Sequence, residues 1–527
     1  MLFNHLKIAL RNILRNKSFS LINIGGLAIG LTTFLAISLY VVDELSYDRF
    51  HEKKDRIYRA VISADFGGQT NKWGGAPNLL GPTSMKEIPE VEKAARVFHH
   101  NFGELGFIAT ETEKFSENEL FYADPEVFDV FTIPFLKGNS KAALSRPNTI
   151  VISESAAQKY FNGVDPIGKV LTIDNDKPLE VTGVYKDFPA NSFLQCKLIA
   201  SFSSNWFGQD KNQNWGNASF DTFFLLNKGA SQEQVDKKIE AMLAKNIEKD
   251  NRWFTIALQP LLDIRLSSGD LNATYDRRSY GDLGQVKILI GLALIVILIA
   301  AINYMNLTTA QSQKRNKEVG IAKTLGATFG QLNGKFYLES AVFVLISMLV
   351  SLVMFTLALP LFNNLSGKLI TMQFASSDYF WIGFICILLV LTFLSGFYPA
   401  LYLSSLSPKS AFQRTSSASG QIFIRKGLVV FQFTVSIVLI ICSAVFYKQM
   451  NFINNKKLGY EPEQVIAVMV SAAKDREQVV SLKTEFESLA DVSNVARSQS
   501  YPGIGTSGYT IAREGTNQST SILTTRA

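Results

Sequence analysis

Apolar residues gather into five long runs, at residues 19–42, 288–310, 336–359, 380–403 and 427–446. About 20 mostly apolar residues cross the ~30 Å hydrocarbon core of a bilayer. No run carries Lys or Arg. Glu339 falls in the first turn of the third run, where a carboxylate can reach the interface. A single run could be a buried core helix; five of this length predict an α-helical membrane protein with five spans. The first run follows Lys7, Arg11, Arg15 and Lys17, as a signal peptide would. Its 24 residues exceed the ~7–15 of a secretory apolar region, and no small-residue cleavage site precedes Asp43, so it reads as an uncleaved anchor.

Between the first two runs the pattern changes to short alternations broken by turns. Thr149–Ser153 reads as a strand leading into an amphipathic helix, Glu154–Phe161, closed by Asn162-Gly163. Lys169–Ile173 and Leu179–Tyr185 alternate at period two around a turn at Asp174–Lys177, which predicts a hairpin. Gln232–Glu248 places Val235, Ile239, Met242, Leu243 and Ile247 on one helical face. Residues 43–287 therefore read as an α+β domain inserted after the first span. Cys196 is its only cysteine, which excludes an internal disulfide.

Composition agrees with a chain that is part soluble and part lipid-embedded. The 527 residues are 47% apolar and 18% charged, against ~25% charged in soluble proteins, with three cysteines. This excludes a disordered chain, a collagen-like chain and a disulfide scaffold.

Charge placement sets the topology. Residues 1–18, 311–335 and 404–426 hold thirteen Lys and Arg against one acid, Glu318. The whole chain carries only +7, so the remainder is net acidic. The positive-inside rule puts those three segments in the cytoplasm. Residues 43–287, 360–379 and 447–527 then lie outside, an alternation consistent across all five spans. The basic excess is a topology signal, and no nucleic-acid partner is expected.

Three motifs resemble sites and lack the chemistry. Gly163–Lys169 matches GxxxxGK, but Val170 stands where a phosphate loop needs Ser or Thr, and a strand follows instead of a helix. His51–Asp55 resembles the start of HExxH without the second His, and reads as a solvated charged helix. His99-His100 has no acidic or cysteine partner at ligand spacing and reads as surface. No GxSxG and no Cys/His pair is present, so no catalytic residue, metal or bound cofactor is expected. Gly26 and Gly30 form a small-xxx-small pair that lets helices approach closely.

The segment after the second run is the informative one. Val319, Ile321, Ala322 and Leu325 make a small apolar stripe among charges, and Gly326 is placed to end a helix. A short amphipathic helix there cannot bury its stripe alone. It would lie on the bilayer surface or dock in a groove on a partner.

The run Arg315-x-Lys317-Glu318-Val319-Gly320-Ile321-x-Lys323-x-Leu325-Gly326-Ala327 resembles the signature of the FtsX/MacB-type ABC transporter permeases. So do Ser46–Arg59, Ala123–Phe131, Val151–Ser155, Pro166–Lys169, Leu338–Ser340, Ser395–Pro399 and Leu406–Pro408, in the family's order along nearly the whole chain. Ala322 departs from a position that is often basic in the family, which puts one contact in doubt. The resemblance implies a MacB-like periplasmic core domain at 43–287 and a multi-pass protein of the bacterial inner membrane with a cytoplasmic N-terminus. It implies a separate cytoplasmic ABC ATPase that binds the ATP and grips residues 315–326. Motion would pass through the spans to the periplasmic domain (mechanotransmission), and a periplasmic adaptor or client would receive it. Export of a small molecule, peptide or lipid-linked cargo is the expected use. Lipoprotein release and activation of cell-wall hydrolases are the alternatives. The spans hold few polar residues, Asn303 and Asn306 among them, so no polar channel is expected.

The layout starts again near residue 421. Arg425-Lys426 precede the fifth span as Arg15 and Lys17 precede the first, and Phe431-Gln432-Phe433 resembles the opening of second halves in duplicated permeases. Residues 447–527, with a helix expected at Asp475–Leu489, read as the start of a second outer domain, and the chain as part of a duplicated permease; a natural five-span protein is the alternative. A sensor would need a cytoplasmic output domain, and an enzyme a nucleophile–base pair or metal cluster; the sequence offers neither.

Overall fold

The computed structural model describes residues 7, 11–66, 69–103, 105–209, 212–248, 252–271, 280–405, 419–457, 464–468, 470, 473, 475–498, 507–512 and 519–524. Residues 1–43 with 284–460 form one compact unit, and residues 44–283 with 461–527 the other.

The first unit is helical. Lys17–Leu45, Leu283–Thr309, Phe329–Ser366, Asp378–Phe397 and Lys426–Asn454 are helical stretches long and apolar enough to span a bilayer. They are apolar on most of their circumference because lipid, not water, surrounds them. Ile22, Leu298, Leu357 and Ile440 all point outward. A smaller interior holds four of them together through Leu27, Leu31, Ala300, Tyr304, Phe343, Val344, Met348 and Leu391. Close approach is built into the first helix. A Cβ at Gly30 would lie 2.7 Å from Ala300 Cβ, and one at Gly26 would lie 3.1 Å from Asn303 Nδ2. Asn306 Nδ2 reaches Gln432 Oε1 of the fifth helix at 3.5 Å.

Residues 311–335 are not a loop carrying a separate short helix. The second spanning helix runs without interruption from Leu283 to Thr324. Residues 311–319 offer nothing to stop it: Gln, Lys, Arg and Glu are good helix formers, and Pro is absent. The chain turns only at Gly326, whose φ of +90° is cheap for glycine alone. Thr328 then starts the third helix with a capping box: its Oγ1 accepts from Gln331 N, and Gln331 Oε1 accepts from Thr328 N.

In the second unit fourteen strands form one mixed sheet. In chain order they are β1 Ile57–Phe66, β2 Gln69–Trp73, β3 Gly75–Ala76, β4 Val91–His99, β5 Gly106–Ala109, β6 Lys114–Glu117, β7 Leu120–Ala123, β8 Phe135–Gly138, β9 Thr149–Ser153, β10 Val170–Ile173, β11 Lys177–Tyr185, β12 Leu198–Ser201, β13 Phe220–Leu226 and β14 Thr255–Pro260. The main path runs β14-β1-β13-β4-β7-β12-β9-β11-β10-β5-β6. β9/β11 and β7/β12 are parallel, and the other pairs antiparallel. Helices Leu80–Glu87 and Gln232–Asn246 pack on one end of the sheet through Leu80, Val235, Ile239 and Leu243. Helix Glu154–Phe161 packs on the other end through Ala156, Tyr160 and Phe161. The expected β10–β11 hairpin is present, with Asp174 and Asn175 at positive φ in its turn. Gly163 and Gly168 flank a plain turn into β10, with no phosphate-binding helix behind it.

Two histidine readings are corrected here. His51 does not sit on a solvated charged helix. It is buried ahead of a single 3-10 turn, Lys54–Arg56, against Phe50 and Phe131. His100 is not on the surface; it is 5% exposed, with Nε2 2.8 Å from Asp174 Oδ2. In both cases the burying partner is too distant in sequence to be seen locally. Cys196 is buried and free. Beyond the fifth span, helix Arg476–Glu487 is capped by Asp475 Oδ1, and Ser507–Ala512 pairs antiparallel with Ser519–Thr524.

Candidate functional site

The turn between the second and third spanning helices has an inner and an outer side. On the inner side Val319 packs with Leu332 and Phe336 of the third helix, with Ala322, Ala327 and Tyr337 around them. This contact is tight, and leaves a cavity of only about 20 Å³. On the outer side three large apolar side chains face away from the protein: Ile321 is 51% exposed, Leu325 83% and Phe329 49%. The sequence stripe therefore splits. Val319 and Ala322 hold the turn to its own unit, while Ile321, in the last turn of the helix, and Leu325, just past its end, are left without cover.

The remaining expected residues are placed as follows. Gly320 is buried and Lys323 half-buried. Gly326 makes the turn. Arg315, Lys317 and Glu318 lie on the continuous helix, and their side chains fall outside the described part. Phe329, Leu332 and Phe336 complete the site and were not singled out in the sequence. The Thr-x-x-Gln spacing at Thr328–Gln331 was a legible signal for the third helix's start. The capping box fixes the direction in which that helix leaves the turn, and so where Phe329 points.

The α+β domain has a second organised locus, where its incoming and outgoing chain ends meet. Glu44 takes a bidentate ion pair from Arg265, at 2.7 Å from Nη2 and 2.8 Å from Nε. Arg265 also lies over the Tyr47 ring at 4.3 Å. Asp48, at φ +56°, accepts from Phe193 N and Ser192 Oγ and is 1% exposed. Burial pushes its carboxyl up to about 6, against the opposing hydrogen bonds and Arg265. His51 Nδ1 accepts from Thr132 N, and its Nε2 lies 3.8 Å from Asp48 Oδ1. Burial lowers the imidazole to about 4. Among the described residues, no group of three or more His, Cys, Asp and Glu side chains converges as a metal would require.

Two family models match the chain. Residues 20–242 match the MacB-like periplasmic core domain, and residues 290–408 match the FtsX-like permease C-terminal domain. The ABC transporter permease YknZ of Bacillus subtilis is 28% identical over 204 residues, 38% of this chain and 46% of that protein. The ABC transporter permease MJ1507 of Methanocaldococcus jannaschii is 24% identical over 422 residues, 76% of this chain and 95% of that protein. The macrolide export ATP-binding/permease protein MacB of Aggregatibacter actinomycetemcomitans is 23% identical over 255 residues, 47% of this chain and 36% of that protein. This chain thus spans less than half the length of the YknZ and MacB relatives.

Proposed function

The chain is a multi-pass FtsX/MacB-type permease, and we propose on that premise that it couples a separate cytoplasmic ATPase to its extracytoplasmic domain. The observation that carries this reading is the uncovered apolar trio Ile321, Leu325 and Phe329 on a braced turn. A helix end that buries one side on its own unit and leaves large apolar groups at the other offers a knob for a partner's groove. Bracing matters as much as exposure. A push on Leu325 reaches the second helix along an unbroken backbone, and reaches the third through Val319, Leu332 and Phe336.

The basic segments favour a cytoplasmic side for this turn and the N-terminus, in a protein of the bacterial inner membrane. ATP is bound by the partner, and this chain supplies no catalytic group. Motion is passed outward without a polar pore, and an adaptor or client outside the membrane responds to it. Relatives named for macrolide export support export of a small molecule, peptide or lipid-linked cargo.

The test is affinity purification of the full chain from its native membranes in mild detergent, scoring co-eluting ATP hydrolysis. Ile321→Glu with Leu325→Glu changes only exposed side chains, so insertion and monodispersity stay unchanged while the co-eluting activity is lost. Retention of that activity by the double variant, or its absence from wild type across several mild detergents, rejects the coupling assignment.

A further inference from the structure

At the end of the membrane unit away from the Gly326 turn, the first, third and fourth spanning helices do not close on one another. They leave a cavity of about 350 Å³ lined by Leu31 and Phe34 of the first, Met348 of the third, and Phe380, Gly383 and Phe384 of the fourth. Its wall on the first helix runs from Leu31 to Val42. At 1.5 Å per residue that is a depth of roughly 16 Å, about half of a ~30 Å hydrocarbon core, or one leaflet. Gly383 widens the opening: a Cβ there would meet nothing within 4 Å.

The lining decides what can fill this space. Water needs two to four polar partners. The wall's polar groups are the hydroxyls of Ser38, Ser351, Ser377 and Tyr379, and that of Ser351 is already given to Met348 O at 2.8 Å. An empty apolar void forfeits dispersion contacts along its whole wall. The surrounding solvent of these helices is lipid, whose acyl chains match the wall in chemistry and the cavity in depth. Its shallow end carries a matched pair of charges. Asp43, one residue past Val42, is ion-paired to Lys368, whose ammonium lies 5.2 Å from the Tyr40 ring centre. Lys368 is buried, and the partly exposed group of the pair is the Asp43 carboxylate, which complements the ammonium of a phosphatidylethanolamine headgroup at the hydrocarbon boundary. Trp381, at the start of the fourth helix, is an aromatic residue of the interfacial kind.

We propose that this cavity binds one acyl chain of a zwitterionic phospholipid from the adjoining leaflet, with its headgroup ammonium at Asp43, which Lys368 holds in place. The site belongs to the membrane unit alone and stands whether or not an ATPase grips the Gly326 turn. In a transporter it would make the packing of the first helix against the third and fourth depend on a lipid.

The experiment reconstitutes the full chain in nanodiscs of phosphatidylethanolamine and phosphatidylglycerol. A trace of phosphatidylethanolamine carries a diazirine in its acyl chain; after irradiation, the labelled peptides are mapped. The wild-type map should concentrate on the segments holding Phe34, Met348 and Phe384. Gly383→Phe fills the opening and removes that label. Gly291→Phe, equally open but on the second helix, leaves it unchanged. Lys368→Met with Asp43→Asn weakens it for phosphatidylethanolamine. Label spread evenly over the lipid-facing sides of all spans overturns the proposal from wild type alone. So does concentrated label that survives Gly383→Phe in a monodisperse variant. Label indifferent to the Lys368 and Asp43 changes overturns the headgroup assignment.

Discussion

Asp48 and His51 show how two buried residues can hide each other's pH dependence. Asp48 titrates at about 6 in the folded domain against 3.8 for the free side chain, and His51 at about 4 against 6.5. At pH 5 the unfolded pair holds its proton on His51, and the folded pair holds it on Asp48, so folding takes up none. A raised carboxyl stabilises most below its unfolded value, and that stability is lost as pH rises towards 6. A lowered imidazole does the reverse, losing stability as pH falls towards 4. Between pH 4 and 6 the two slopes cancel. Removing either partner exposes the other, at up to about 1.4 kcal/mol per pH unit. Asp48→Asn keeps the acceptor for Phe193 N and Ser192 Oγ, and Asn tolerates the φ of +56°. Relative to wild type, its stability should rise from pH 4 to 6, whereas that of His51→Gln should fall. Tryptophan-fluorescence melts of the detergent-solubilised chain report this, because Trp73, Trp206, Trp215 and Trp253 all lie in the domain. Parallel slopes in the two variants would refute it.

At the scale of elements, the first and second spanning helices depend on two glycines for their approach. Gly30→Ala would drive its methyl into Ala300 Cβ, and overpacking of this kind costs about 1–3 kcal/mol. Gly291→Ala, on an open helix face, should be neutral or stabilise by up to about 1 kcal/mol. Equal melting shifts for the two variants would argue against close packing at Gly30. The glycine pair was legible because small residues four apart in an apolar run have a direct packing meaning. The five spans were legible because lipid demands a long uncharged run, and the β10–β11 hairpin because one buried face imposes period two. The helix from Leu283 to Thr324 was not. Its hydropathy changes where membrane gives way to water, but its backbone has no reason to stop there, and the polarity change reads as a loop. The split of the 319–325 stripe was hidden for a related reason. Only Leu332 and Phe336, beyond the turn, decide that Val319 faces inward and Leu325 outward. The burial of His100 depends on Asp174, and that of His51 on Phe131 and Thr132, pairings that no local pattern announces.

At the scale of the whole molecule, a domain inserted between two spans is tied to them by its two chain ends, so what joins those ends matters. Glu44 is 2% exposed, and the guanidinium that neutralises it comes from Arg265, across nearly the full length of the inserted domain. Gly281, on the outgoing segment, approaches the pair so closely that an added Cβ would lie 2.7 Å from Glu44 Oε2 and 3.4 Å from Arg265 Nε. A buried pair of this kind contributes little over an apolar replacement, but removing one partner costs about 3–5 kcal/mol, because the buried charge left behind loses its bidentate counter-ion. Arg265→Ala should therefore lower the tryptophan-reported melting midpoint sharply, and Gly281→Ala should lower it part of the way by prising the pair apart. Glu44→Leu with Arg265→Met should recover most of the loss, since no uncompensated charge remains and the Met side chain still covers the Tyr47 ring. If the double variant melts as low as Arg265→Ala, packing alone accounts for the effect and the ion pair is not what joins the two ends. If both melt like wild type, the two ends are held by the surrounding sheet, and force would enter through β1 and β14 instead.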